Sequence, residues 1–350
     1  MDLIEILKYA KAKDASDIFF IAGQPITFKV YNELIPLNDQ KLMPDDTERL
    51  INTIFEMSHR DKKKYHDMDD DDFSFSVPDV SRFRVSTYRQ RGSMAAVIRM
   101  ISFQLPNPVD LGIPDWIIKL AQVKKGLVLV TGPAGSGKST TQACMIDAIN
   151  NNYAKHIITL EDPIEHLHSH KKSIVSQREI TIDSASYINA LRAALRQAPD
   201  VILLGEMRDY ETIKTALMAA ETGHTVISTL HTIGAAKTID RIIDVFPANQ
   251  QRQIALQLSL TLETVISQQL IPTTDNRLVP VFEVMKVNTA IRNMIRDNKI
   301  HQIDGIISSS PDSEMISMDQ SLLALYKRQL ITKETALIYA SNPDMLSRKL

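Results

Sequence analysis

The chain has 350 residues, 44% hydrophobic and 23% charged, with a formal net charge of −2. That composition describes a folded globular protein, and the length predicts two domains. The near-neutral balance argues against broad electrostatic binding to nucleic acid or anionic membrane, and the single cysteine, Cys144, excludes an intrachain disulfide or thiolate zinc site.

Residues 1–105 read as a small α/β unit. Leu3, Ile6, Leu7 and Ala10 recur at helical spacing. Asp17–Ala22 and Ile26–Val30 read as strands, and Pro44-Asp45-Asp46 opens a helix presenting Leu50, Ile51, Ile54 and Phe55 on one face. Residues 72–77, 81–86 and 95–101 read as further strands. The acidic run Asp67-Met68-Asp69-Asp70-Asp71-Asp72 lacks the glycine turn and distal glutamate of an EF-hand and is expected to be a solvated loop. Pro106-Asn107-Pro108 and Gly112-Ile113-Pro114 mark a linker over 106–114.

From residue 115 strands alternate with helices, the pattern of a mostly parallel sheet. The strands are expected at Leu127–Thr131, His156–Glu161, Val201–Leu204 and Thr225–Leu230, with helices at about 140–151, 184–197 and 210–222. Past residue 248 the periodicity reads as nearly all helical, through Ile254, Leu258, Leu262, Val265 and Ile266. No apolar run is long enough for a bilayer span, and Met1-Asp2-Leu3-Ile4-Glu5 does not open a targeting signal. A cytoplasmic location is expected, with any membrane association through a partner.

Gly132-Pro133-Ala134-Gly135-Ser136-Gly137-Lys138-Ser139 fits G-x-x-x-x-G-K-[ST], between an expected strand and a helix beginning at Thr140. Such a loop turns backbone N–H groups and a helix N-terminus toward phosphate. Lys138 would reach the β- and γ-phosphates of ATP, and Ser139 would ligate Mg²⁺. Asp200-Val201-Ile202-Leu203-Leu204-Gly205-Glu206 ends as a Walker-B strand does, except that Gly205 stands where aspartate is usual. Glu206 is then the first choice for the group that orients or deprotonates the attacking water. Glu161 and Asp162 would face the nucleotide beyond another strand and could hold Mg²⁺ through its waters. His231, delivered to the same edge, is a candidate γ-phosphate sensor. His166, His168 and His170 would share one face of a strand, although a polar strand or domain contact explains them as well as a metal. Arg82 and Arg84 would share a strand face in the small unit and, with Arg89, Arg91 and Arg99, include candidate arginine fingers.

With these segments in place, the chain resembles the secretion-ATPase superfamily of bacterial type II secretion and type IV pili, in particular its PilT-type pilus retraction ATPases. The resemblance rests on the loop 132–139, the acidic segment 158–165, and the atypical Walker B ending Gly205-Glu206-Met207-Arg208-Asp209. It extends to the histidine segment Thr222-Gly223-His224 through Thr229-Leu230-His231-Thr232 and the stretch Ala236–Pro247. Ala290-Ile291-Arg292-Asn293-Met294-Ile295 resembles the AIRNLI motif, with methionine for leucine. The resemblance implies a PAS-like N-terminal domain (1–105), a RecA-like ATPase domain (115–288) and a C-terminal helical region (289–350). It further implies a homo-hexameric ring driven by ATP and Mg²⁺ that acts on an inner-membrane platform protein, with Glu206 catalytic and Arg82, Arg84 and Arg99 as nucleotide contacts. A second retraction ATPase is a possible partner. A small domain starting at residue 1 and the lack of a four-cysteine zinc element point away from the assembly ATPases. The rivals are a nucleic-acid motor, which the near-neutral charge disfavours, a nucleotide-gated assembly factor, which Glu206 disfavours, and an accessory retraction ATPase.

Overall fold

The computed structural model describes residues 2–31, 33–60, 70–101, 105–275, 277–312 and 314–350. They divide into one unit of Met1–Gln104 with Glu165–Leu167, and a second of Leu105–Ile164 with His168–Leu350.

In the first unit, α1 (Leu3–Ala12) begins where the Asp2 side chain accepts from the Leu3 N–H, and buries Leu3, Ile6, Leu7 and Ala10. α2 (Pro44–Met57) has proline at its first position and buries Leu50, Ile51, Ile54 and Phe55. These faces share a core with an antiparallel sheet of order β3-β2-β1-β6-β5-β4. Its strands are β1 (Asp17–Phe20), β2 (Pro25–Val30), β3 (Glu33–Lys41), β4 (Asp71–Val77), β5 (Ser81–Gln90) and β6 (Ser93–Ile101). The spacing gives no sign of β3. It is an edge strand with eight of its nine residues exposed, so no buried face imprints an alternation, and Pro36 is tolerated there.

The acidic run is not all loop. Asp67, Met68 and Asp69 lie outside the described residues, but Asp71 opens β4 buried, and its carboxylate accepts from Arg60 Nε and Nη2, both at 2.7 Å. An ion pair with both carboxylate oxygens satisfied draws this aspartate into the core.

The second unit is built on a seven-stranded sheet of order β13-β12-β7-β11-β10-β8-β9. β7 (Gly126–Thr131), β8 (His156–Glu161), β9 (Ile174–Glu179), β10 (Val201–Leu204), β11 (Thr225–Leu230) and β12 (Leu262–Pro272) pair in parallel, and β13 (Leu278–Lys286) closes the edge antiparallel. β7, β10 and β11 are buried at every residue, so covering on both faces favours apolar residues, unbroken in β10 and interrupted by Thr225, Ser228 and Thr229 in β11. The short α3 (Asp115–Lys119) precedes β7. Then come α4 (Lys138–Asn152), α5 (Tyr187–Ala194), α6 (Tyr210–Glu221), α7 (Ala235–Asp244) and α8 (Ala248–Thr261) as crossovers. After β13 follow α9 (Thr289–Arg296), α10 (Ile303–Ser309), α11 (Met318–Lys327), α12 (Lys333–Ile338) and α13 (Pro343–Ser347).

β12 and β13 overturn the helical reading past residue 248. Leu262, Val265 and Ile266 have helix-like spacing, but Val265 and Ile266 face opposite sides of a β-strand, in the α7–α8 core and the α4 core respectively. The bulge between Leu262 and Thr264 is what shifts the period.

Candidate active site

The parallel register brings the signature segments to one edge. Ser267 on β12 and Leu230 on β11 both pair with Thr131 at the end of β7. Leu204 at the end of β10 pairs with Ser228 and Leu160. The residues at or just beyond the ends of these strands are Gly132, His231, Gly205-Glu206 and Glu161-Asp162. They gather at the carboxyl ends, where open α/β sheets bind ligands.

Gly132 leaves β7 with φ 144°, and a Cβ there would meet the Gln268 carbonyl oxygen at 2.0 Å, so only glycine fits. Pro133 is half-buried, and Ala134 and Gly135 are exposed. Gly137 (φ 83°) caps α4, which begins at Lys138. The Lys138 Nζ donates to the carbonyls of Gly132 (2.9 Å) and Pro133 (2.8 Å), folded against the loop it belongs to. Ser139 and Thr140, half-buried, complete the first turn. The hydroxyls of Thr131 and Ser136 are buried and have no partner among the described residues. Such orphaned donors beside Lys138 and a 15-residue helix N-terminus fit a phosphate chain.

Glu206 is held from two sides. Arg208 Nη2 donates to its Oε1 at 2.7 Å, and His231 Nε2 lies 3.5 Å from its Oε2. Its side chain keeps 15% exposure, enough to meet a water. A cleft beside Glu206, Arg208 and His231 is also lined by Thr229, Thr232 and Arg241. The strand end is fixed by the Thr229 hydroxyl, which donates to the Gly205 carbonyl at 2.6 Å. Glu161, at the end of β8, accepts from Thr159 Oγ1 (2.6 Å) and Gln177 Nε2 (3.3 Å), while Asp162 is exposed.

Two residues that the sequence reading missed shape this edge. The first is Tyr187, at the start of α5. A Cβ at Gly205 would lie 2.9 Å from the Tyr187 hydroxyl oxygen and 3.3 Å from the Leu160 carbonyl, which explains why Gly205 stands in place of aspartate. Burial, and then the charges of Glu206, Asp162 and Glu161, push the Tyr187 phenol well above its usual range. The second is Gln268 on β12, whose Nε2 donates to the Ser136 carbonyl at 2.7 Å and whose Oε1 accepts from the Thr141 hydroxyl at 2.7 Å. A glutamine in a strand misread as helix gave no signal.

Other candidates lie elsewhere. The histidines at 166, 168 and 170 are not on a strand: the His168 N–H donates to Gln177 Oε1, and His170 Nδ1 accepts from the Val175 N–H. No group of three or more His, Cys, Asp or Glu side chains suited to a metal occurs among the described residues. Arg82, Arg84 and Arg99 belong to the first unit. Arg82 Nη1 donates to Ser76 Oγ (3.3 Å); Arg84 and Arg99 are exposed and oppose each other across β5 and β6. Arg99 Nε donates to Asp17 Oδ1 at 2.9 Å, so a carboxylate of the same sheet supplies the counter-charge expected of a bound anion.

The segment 290–295 forms α9, capped by Asn288. Ile291 and Ile295 enter the core, and Met294 packs against it. Arg292 donates from Nη1 to the Ser259 carbonyl and from Nη2 to Glu263, both at 2.8 Å. Ala290 and Asn293 are exposed. No helix of the described residues is long and apolar enough to cross a membrane.

The family described as "Type II/IV secretion system protein" matches residues 2–305. The chain is 43% identical to the type IV pilus retraction ATPase PilT of Pseudomonas aeruginosa, over 98% of this chain and 99% of that one. It is 42% identical to a twitching motility protein of Neisseria gonorrhoeae, over 99% and 92% of the two chains. A crystal structure of the pilus retraction motor PilT with bound ADP superposes with a TM-score of 0.89 at 47% identity, covering 99% of each chain. The Legionella pneumophila ATPase DotB superposes at 0.81 with 27% identity, covering 97% and 95%. Two α/β units, the loop 132–139 and the unusual Gly205-Glu206 strand end thus occur in a chain that belongs to the type II/IV secretion system protein family, in its PilT-type branch of ATPases.

Proposed function

We propose that the protein hydrolyses ATP to drive type IV pilus retraction, working as a homo-hexameric ring on an inner-membrane platform protein from the cytoplasmic side. The observation that carries the hydrolytic part is Glu206, held between Arg208 and His231 at the strand edge that also bears the loop 132–139. Similarity to pilus retraction and twitching motility proteins supports the retraction part. In this reading residues 1–105 form the PAS-like domain, 106–114 the linker, 115–288 the ATPase domain and 289–350 the C-terminal helical region.

Gly132 to Thr140 wrap the phosphates, through backbone N–H groups except at Pro133, which has none, and Lys138 swings from the carbonyls of its own loop to the β- and γ-phosphates. Ser139, with Glu161 and Asp162 through water, would hold Mg²⁺, whose chemistry is to spread positive charge over the β- and γ-oxygens. Glu206 accepts the proton of the attacking water, Arg208 and His231 fix its carboxylate, and His231 reports the γ-phosphate to the neighbouring helices. Arg82, Arg84 and Arg99 are the arginines that would contact a nucleotide, Arg99 already carrying Asp17 as a counter-charge. The 290–295 helix serves retraction rather than hydrolysis.

Deletion of the gene in its host tests this: abundant pili on non-motile cells are expected, and bald cells would overturn retraction. Purified protein that releases no phosphate from ATP would overturn the hydrolytic part. A second reading, an accessory motor beside a main retraction ATPase, draws on 38% identity to the type IV pilus ATPase PilU of Pseudomonas aeruginosa. Normal retraction in the deletion strain, lost only when a second motor is also weakened, would favour it.

A further inference from the structure

We infer that Gln268 is the residue that positions the phosphate-binding loop, a role that rests on the nucleotide site proposed above and deepens it. Gln268 is 1% exposed, so its amide has no bulk water to exchange with. Both ends are committed: Nε2 to the Ser136 carbonyl, and Oε1 to the hydroxyl of Thr141 in the first turn of α4, each at 2.7 Å. The Ser136 carbonyl fixes which way the amide faces: it can only accept, so the NH₂ must donate to it, and the oxygen is left for the Thr141 hydroxyl.

The consequence follows from the planar trans peptide. Carbonyl and N–H of one peptide unit point in opposite directions, so pulling the Ser136 carbonyl toward β12 turns the Gly137 N–H away from β12. That N–H has no acceptor among the described residues, and it stands at the N-cap of α4, where an anion is best stabilised. Gln268 therefore sets one donor of the cradle before nucleotide arrives, without touching the nucleotide.

The same residue accounts for two of the motif's glycines. A Cβ on Gly132 would lie 2.0 Å from the Gln268 carbonyl oxygen, and a Cβ on Gly137 would lie 3.0 Å from its Nε2. The loop and β12 are packed backbone to backbone at one glycine and backbone to amide at the other. This fit accounts for Gln268 among the buried polar residues of β12.

The test is equilibrium binding of mant-ADP to the full chain, with and without Mg²⁺, between pH 5 and 8, with melting curves of each protein alone. In Gln268→Glu the protonated carboxyl group can donate to the Ser136 carbonyl, whereas the ionised one opposes it. Its affinity should approach the native value at low pH and fall about tenfold or more below it at high pH, the size expected for a lost buried hydrogen bond. Gln268→Leu should be weak at every pH, and Thr141→Val, which spares the Ser136 bond, should lose only about threefold. A ratio of variant to native affinity that stays flat with pH, or native affinity in folded Gln268→Leu, overturns the inference. Native protein that binds no mant-ADP removes the nucleotide site itself; unaltered variants beside a native protein that binds remove only the role of Gln268.

Discussion

Arg292 sits inside the segment that resembles the retraction motif, and its position gives it a structural task that can be weighed. Its guanidinium donates to the carbonyl of Ser259 in the last turn of α8 and to the carboxylate of Glu263, both at 2.8 Å. The last four carbonyls of a helix lack helical partners, so this cation caps α8 while pinning α9 to it. A charged hydrogen bond to a carbonyl contributes about 1.5–3 kcal/mol. The Glu263 pair, with both side chains near 30% exposed, adds only about 0.2–1 kcal/mol after solvent screening. Arg292→Ala should thus cost about 2–3 kcal/mol, against a total stability of about 5–15 kcal/mol. The variant should fold but melt early. Trp116, the only tryptophan, packs in the second unit, so its fluorescence reports urea unfolding of the unit that contains α9. A urea midpoint equal to the native one would refute the reasoning. Asn293→Ala is the control: the side chain is exposed and, among the described residues, engages only the exposed Arg296, so the shift should stay within about 0.5 kcal/mol.

Gly205→Ala should lower both melting temperature and ATP turnover, because the new Cβ meets the Tyr187 hydroxyl at 2.9 Å; adding Tyr187→Phe should recover part of each, and a native-like Gly205→Ala would sink the explanation. Lys138→Ala should remove measurable mant-ATP binding or turnover in a fluorescence titration and a phosphate assay. Burial raises the Glu283 carboxyl above its ordinary 4.5, despite bonds from the Ala235 and Met318 N–H groups, and burial raises its neighbour Asp304 as well. A carboxyl that holds its proton more tightly when folded stabilises fully below its unfolded pKa, and that contribution is lost as pH rises through the folded value. Glu283→Gln should flatten the fall in urea midpoint from about pH 4.5 upward, and an unchanged slope would count against it.

Much of this was legible in the sequence because parallel strands buried on both faces are rich in apolar residues. The expected bounds of β8, β10 and β11 match the structure residue for residue. The glycine-rich loop, Glu206 and His231 were legible too, since strand ends in such a sheet deliver whatever follows to one edge. What escaped has physical causes. β3 has no buried face to show, and β9 is a short, largely polar edge strand. β12 carries Ser267, Gln268 and Gln269 where a core strand would be apolar, and Ser267 and Gln268 are spent on bonds to the Gly234 N–H and the phosphate loop. Local pattern fails where a residue serves the site rather than the strand. The absence of aspartate at 205 was visible, but its cause, a tyrosine 18 positions earlier, is a fact of packing. The arginine spacing in the small unit fits a bound anion or an exposed basic strand equally, and the partner of Arg99, Asp17, lies 82 positions away on another strand of the sheet.

Glu206 is proposed above as the group that makes this phosphate site hydrolytic. Glu206→Gln keeps the side chain's shape and its bond from Arg208 while removing the base. Mant-ATP affinity and steady phosphate release, measured on the same purified protein, test it most directly. Affinity should stay near the native value and phosphate release should fall about a hundredfold or more. Native turnover in Glu206→Gln would contradict it.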